Sequence, residues 1–311
     1  MSEALPVLIG GSIAIDNVKT PEAERRDLLG GSASYAALAA SYFTSPAHLV
    51  GIVGADFPPE HLEMLARHGV TLEGVERSGR PSFTWTGEYH AGMNERTTRN
   101  VAVNVLEDWR VVVPAGVAGA PFVVLANMSP GNQLEMLAQC AAAPRFVLAD
   151  TMDLWINIAR DPLRRVLEQV DLLVVNDSEA RELASTTNIV EAGDRLRGMG
   201  PRHVVVKLGE FGAVLFGPPG HNHGLFRCGA FPLRRVVDPT GAGDTFLGAL
   251  AGYLASLGSA APGFSAIRDA VIRGTVMASF TCEAFSTGRI ENLPEADLLR
   301  RLEIFREMSC W

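Results

Sequence analysis

Short apolar runs recur along this chain, and most of them lead into a stretch with helical spacing. Pro6-Val7-Leu8-Ile9-Gly10-Gly11 ends in glycines, and residues 30–43 then turn to small residues and alanines at helical spacing. The run at 49–53 precedes a helical pattern at about 58–68, and the run at 122–126 precedes one at about 131–142. Further runs stand at 146–149, 172–175 and 204–207. Strands covered by helices on both faces read as continuous apolar runs, because neither side meets water. The alternation therefore predicts an α/β fold, a three-layer α/β/α arrangement around a mostly parallel central sheet. In such sheets the active site lies outside the carboxyl ends of the strands.

Residues 81–113 break the rhythm. Phe83, Trp85, Gly87 and Tyr89 alternate, a polar turn Met93-Asn94-Glu95-Arg96 follows, and Val101, Val103 and Val105 alternate again. Period two on both sides of a polar turn predicts antiparallel strands with one face solvated or covering something. We read this as a small β-sheet lid, inserted at roughly 81–113 in a single domain spanning 1–311, with a contribution from about 14–29. No Pro-, Gly- or Ser-rich linker, repeat or low-complexity tract divides the chain, and 311 residues can bury one large core.

A formal net charge of −8 leaves no basic face for nucleic-acid phosphates, so a polyanionic partner is not expected. Met1-Ser2-Glu3-Ala4-Leu5-Pro6 carries neither the charged nor the apolar region of a signal peptide, and no run reaches a membrane span. The expected location is cytoplasmic, with no membrane partner. Cys140, Cys228, Cys282 and Cys310 show no CxxC or zinc spacing and read as reduced structural thiols. His221-Asn222-His223 sits between Pro218-Pro219-Gly220 and Gly224, which reads as a turn rather than a metal site.

The chemistry concentrates in Asp238-Pro239-Thr240-Gly241-Ala242-Gly243-Asp244-Thr245-Phe246. Small residues with free amides opening a helix form an anion site, and phosphate is the natural guest. A fixed negative charge at Asp244 repels such a guest unless it has chemistry to perform, and a general base for phosphoryl transfer would supply the reason. An ordinary helix N-cap is the competing explanation for an Asp here.

This segment lies in the C-terminal quarter, and Gly30-Gly31 before an alanine-rich helix lies near the start. Between them stand Asn176-Asp177-Ser178-Glu179, an NxxE pattern after a strand, and Lys207-Leu208-Gly209-Glu210-Phe211-Gly212, a GxxG turn. In the order and separation of these elements the chain resembles the ribokinase-like PfkB carbohydrate kinase family over nearly its whole length. The resemblance implies an ATP- and Mg²⁺-dependent kinase acting on a hydroxyl of a sugar or sugar-like small molecule. It casts Asp244 as the base, with the amides of Gly241, Ala242 and Gly243 as the anion hole. Asp16, Gly30, Gly31, Tyr35 and Asn104 fall on the acceptor side, and Asn176, Glu179, Lys207, Gly209, Gly212 and Thr240 on the nucleotide side. Asn176 and Glu179 would organise Mg²⁺ through water, and the helix-cap reading of that pair stands beside this one. Asp238 and Thr240 match positions that shape a monovalent-cation site, K⁺ being the candidate. The helix around 276–280 would wall the adenine.

One departure concerns the acceptor. Many relatives place Asn four residues after the second glycine, where this chain has Tyr35, which either meets a ligand or fills core space. Tyr35, Phe83, Trp85 and Tyr89 suit stacking on a base as well as packing a lid, so a nucleoside kinase of the same fold is the alternative, and a non-catalytic ligand-binding relative is a second class. Lid residues Asn94, Arg96, Arg99 and Asn104 are candidates for closing over substrate, Asp150, Asp153 and Trp155 lie near the active edge, and pairing of lids would make a homodimer. Gly10-Gly11-Ser12-Ile13-Ala14 is not GxGxxG and no GxxxxGK[ST] occurs, which disfavours dinucleotide oxidoreductases and P-loop kinases.

Overall fold

The computed structural model describes residues 3–140, 146–220, 224–259 and 261–309. His221-Asn222-His223, Cys310 and the expected helix end at 142 lie outside the described residues. The chain opens with β1 (Val7–Gly10), β2 (Ala14–Lys19), β3 (Glu24–Gly30), α1 (Ser32–Ala40), β4 (Ala47–Val53), α2 (Pro59–Arg67) and β5 (Val70–Arg77). It continues through β6 (Thr84–Tyr89), β7 (Arg96–Ala102), β8 (Phe122–Leu125), α3 (Pro130–Gln139), β9 (Phe146–Ala149), α4 (Asp153–Ile158) and α5 (Arg160–Leu167). Then come β10 (Leu172–Asn176), α6 (Asp177–Ala184), α7 (Ile189–Arg197), β11 (His203–Lys207), β12 (Ala213–Phe216) and β13 (Leu225–Cys228). Helices α8 (Ala242–Ser256), α9 (Phe264–Thr281) and α10 (Glu295–Ser309) complete it.

The large sheet has nine strands in the order β13-β12-β11-β10-β9-β8-β1-β4-β5. Only the β11–β12 and β12–β13 pairs are antiparallel; the remaining pairs are parallel. The apolar runs form the inner strands, as expected for strands covered on both faces: Val7, Leu8 and Ile9 are fully buried, as are the four residues of β8. Two apolar clusters lie on opposite faces of the sheet. One joins alternate strand residues to α1, α8 and α9, the other to α3, α5, α6 and α7. After β1 the chain moves to β4 and β5 on one side, then returns to β8 and beyond on the other. The order reverses between β1 and β8, and in open α/β sheets the crevice at the strands' carboxyl ends beside such a switch is where ligands bind, the cleft considered below.

Helices α1 and α8 bring two N-termini to that cleft. α1 is rich in Ala and buried throughout, and α8 is rich in Ala and Gly and mostly buried. They approach closely because Gly248 and Gly252 lack side chains: a Cβ on them would lie 2.1 Å from the Ala36 oxygen and 2.5 Å from the Ala40 oxygen. Both contacts advance together along the chain, so the helices run in the same sense. Helix starts elsewhere are set by local chemistry, with Ser129 accepting from the Asn132 amide ahead of Pro130, and Pro59 opening α2.

A second sheet, in the order β3-β2-β6-β7, stands over the cleft. Two antiparallel hairpins join through a parallel β2–β6 contact, which places Asp16 beside Trp85. The alternation expected through Val105 does not hold in β7, which ends at Ala102 and has no buried residue, Val101 and Val103 being exposed. Beyond it Val105, Trp109, Val111 and Val113 are buried with Leu8 and Val50 in the core of the large sheet. Among the described residues no helix is long and apolar enough to cross a membrane.

Candidate active site

β2 of the small sheet carries Asp16, expected on the acceptor side, with 5% of its surface exposed. Gly30, at the end of β3, makes room for it, since a Cβ there would lie 2.1 Å from the Asp16 carboxyl carbon. Burial pushes the Asp16 carboxyl up to about 8, and the charges of Asp238 and Asp244 push the same way. Gly31 then turns the chain into α1 at φ 91°.

Across the cleft, Gly241 adopts the left-handed conformation (φ 76°) as the N-cap of α8, a region that favours glycine. A side chain there would also strike Tyr35, whose ring lies 2.4 Å from the would-be Cβ. Asp244 sits in the first turn of α8, half-buried. Removal from water and the nearby Asp150 charge push it up to about 7, against the pull of Lys207 and Arg96. Of the three amides expected to face an anion, that of Ala242 donates to the Pro239 oxygen at 3.2 Å. Fully buried Asp238 braces the same loop, accepting from the Thr240 amide at 2.9 Å and the Ser286 amide at 3.3 Å. Burial raises its pKa, and those hydrogen bonds oppose the rise.

Three carboxylates surround one ammonium at the ends of β9, β10 and β11. Lys207 lies 3.4 Å from Asp150 Oδ2, and a Cβ on Gly243 would come within 2.9 Å of its Nζ. Burial would depress the Lys207 ammonium, but Asp150, Glu179 and Asp244 outweigh it and hold its pKa above the ordinary value. Asn176 and Glu179 form a reciprocal cap on α6: Asn176 Oδ1 accepts from the Glu179 amide and Glu179 Oε2 from the Asn176 amide, each at 2.8 Å. Burial and the Asp150 charge raise the Glu179 carboxyl well above the usual carboxylate range. Gly209 (φ 57°) and Gly212 (φ 95°) shape the turn after β11.

The lid reaches both sides. Thr240 donates its hydroxyl to Tyr89 of β6 at 3.1 Å, and Asn94 donates to Glu210 Oε1 at 3.0 Å. Arg96 lies 6.0 Å over the Trp85 ring, while Arg99 pairs with Glu88 within the lid at 2.8 Å. Two expected acceptor contacts stand apart from this group. Tyr35 is 1% exposed and its ring packs beneath Gly241. Asn104 spends its amide on the Ser82 oxygen at 2.7 Å, in a short turn outside the lid sheet.

A profile of the pfkB family carbohydrate kinases matches residues 14–294. The chain belongs to the pfkB carbohydrate kinase family. Like other pfkB kinases it is a phosphotransferase acting on hydroxyl groups, with sugars or nucleosides as the acceptor class. Its sequence is 27% identical over 258 residues to a cytidine kinase of Thermococcus kodakarensis, covering 80% of this chain and 88% of that one. A nucleoside kinase of Methanothermobacter thermautotrophicus is also 27% identical, over 79% of this chain and 81% of its own. In fold, the chain matches Arabidopsis thaliana ribokinase complexed with ribose and ATP at a TM-score of 0.76, with 21% identity, covering 96% and 99% of the two chains.

Two features of this pfkB chain escaped the sequence reading. The Tyr89–Thr240 bond joins residues 151 positions apart, a separation no local pattern announces. Asn127 left a better signal: it is a polar residue directly after the buried run of β8, at the edge of the topological switch.

Proposed function

We propose that this kinase transfers the γ-phosphate of ATP to a ribose hydroxyl of a nucleoside, with Asp244 as the general base. The observation that carries the reading is Asp244 itself, a carboxyl with a pKa near 7 at the mouth of α8, facing Lys207 and within electrostatic reach of Asp16. A base is most effective when its pKa is close to the working pH. Asp16, held bare by Gly30, accepts hydrogen bonds from the acceptor's hydroxyls and orients one toward the γ-phosphorus. Asp244 takes that hydroxyl's proton as the oxygen attacks. The amides of Gly241 and Gly243, with Lys207, stabilise charge on the transferring group; the Ala242 amide, turned to Pro239, contributes less. The lid excludes water that would compete as nucleophile.

The residues fit a divalent cation. Asp150, Glu179 and Asp244 share a single ammonium, so the cluster is short of positive charge. Among the described residues no group of three or more His, Cys, Asp or Glu is arranged to hold a metal by itself. Mg²⁺ would therefore rest on water and phosphate oxygens, with Glu179 and Asn176 behind the waters. When bound, it neutralises phosphate charge. Asp238 and Thr240 would shape a K⁺ site beside the anion hole, and the nucleotide would lie along Gly209, Gly212 and the middle of α9.

The names of the two sequence relatives favour a nucleoside. Asp16 alone favours a free sugar equally, since it reads paired hydroxyls on either, and that is the second reading. The test is ATP consumption across a panel of nucleosides and sugars, with wild type and Asp244→Asn. Turnover should fall by about two orders of magnitude or more in the variant while ATP binding persists. Unchanged turnover would remove Asp244 from its role. The exposed edge of β7 suits pairing with a second lid; light scattering should report twice the 33.3 kDa chain mass, and a 33.3 kDa species alone would count against a dimer.

A further inference from the structure

The acceptor side of the cleft carries a polar and aromatic cluster with no part in the phosphoryl transfer described above. Asn127 follows β8 at the topological switch, and its backbone oxygen accepts from the Ser12 amide at 3.3 Å and the Ser32 hydroxyl at 2.9 Å. Ser32 follows Gly31, and its own amide donates to Ser12 Oγ at 3.1 Å. Asn127 is thereby tied to the turn that opens α1. Through its side chain it holds two further groups. Oδ1 accepts from the Trp155 indole N–H at 2.9 Å, and Nδ2 lies 3.1 Å from Met152 Sδ.

Asn127, Met152 and Trp155 are each half-buried, so part of each remains open to solvent. Ile156, the next residue of α4, is 2% exposed and does the packing. An indole whose N–H is fixed by an amide has a fixed ring plane, and the open part of that ring is an apolar, flat surface. Such surfaces bind heterocycles by stacking with little regard to their substituents. The adjacent thioether adds a polarizable contact, and the Asn127 amide has a second hydrogen for a base oxygen or ring nitrogen. A free pentose could meet the amide through a hydroxyl, but it has no planar heterocycle to stack on the indole.

We propose that Trp155, with Asn127 and Met152, forms the subsite for the acceptor's nucleobase. This rests on the nucleoside reading of the acceptor. The bonds from Trp155 through Asn127 to Ser32 end one residue from Gly31, so a base on the indole belongs to the same molecule whose ribose meets Asp16. The subsite separates nucleosides from free sugars, and Tyr35 beneath the opposite loop takes no part.

The test uses initial rates of the full chain with ATP, for wild type, Trp155→Ala and Trp155→Phe. Acceptors are a set of nucleosides and ribose, which presents the hydroxyls without a base. In Trp155→Ala the nucleoside KM should rise about tenfold or more, while the KM for ATP and for ribose stays within about twofold. Trp155→Phe, which keeps an aromatic face, should recover most of the loss, and it carries the test if the alanine variant fails to fold. An unchanged nucleoside KM, or equal rises for nucleosides and ribose, overturns the subsite and leaves the nucleoside reading standing. Wild-type turnover of ribose with none of the nucleosides overturns that reading, and the subsite with it.

Discussion

Acidification should silence this enzyme well above the pH at which ordinary carboxylates protonate. As the proposed base, Asp244 must be ionised to accept a proton, and its pKa stands at about 7. Because burial raises that pKa, activity is complete above it and lost as pH falls through it. A single base of this kind leaves kcat/KM at about a tenth of its plateau at pH 6 and about a hundredth at pH 5. Asp16, at about 8, accepts two hydroxyl hydrogen bonds best when ionised, and the Asp244 charge is among those that raise it. With both carboxyls losing their charge as pH falls, the acid limb should steepen toward a slope of two. Asp16→Asn removes one titration and one negative neighbour: the slope should fall to one and the limb move to lower pH, at reduced overall activity. Lys207→Met removes a charge that pulls Asp244 down, so its limb should move to higher pH. The assay is ADP release at fixed ionic strength from about pH 5 to 9. A limb near 4, or one that Lys207→Met leaves in place, would refute the placement of Asp244 in a dry, negatively charged cleft.

Gly30→Ala puts a methyl group onto the Asp16 carboxyl, 2.1 Å from its carbon. Acceptor kcat/KM should drop by about a hundredfold with little change in the KM for ATP, and a variant within twofold of wild type would mean Asp16 is not the acceptor contact. Tyr89→Phe deletes the lid's bond to Thr240. Its acceptor KM should rise about three- to tenfold with an unchanged melting temperature, and a fall in melting temperature without a kinetic effect would make the contact purely structural.

The central strands were legible because burial on both faces leaves an unbroken apolar run, as in Val7-Leu8-Ile9 and residues 122–125. Edge strands leave no such run. In β5, Val70 and Gly74 are buried but the residues between them are not, and the β12–β13 pair turns antiparallel where the chain no longer needs a helix crossover. The hairpin of the small sheet was legible in β6, where Gly87 and Tyr89 are buried alternately, but β7 has no buried residue and leaves no such pattern. At the candidate site, the loop residues announced themselves through small side chains and a misplaced carboxylate at 241–244. Tyr35 did not, because nothing local distinguishes an aromatic ring under a loop from one over a ligand; in the structure its ring lies beneath Gly241. Trp155 and Asn127 meet only after the strands are ordered side by side.

The crowd of carboxyl groups in the cleft also keeps a store of protons. At neutral pH Asp16 and Asp244, with pKa values of about 8 and 7, retain hydrogen that they would shed in water, and Glu179 is shifted the same way. Hydroxyl donors at Asp16 and positive charge near Glu179 favour the ionised forms, so loading the cleft evicts those protons into solvent. Ligand capture and proton release are then one event, and the heat of binding depends on which buffer receives the hydrogen.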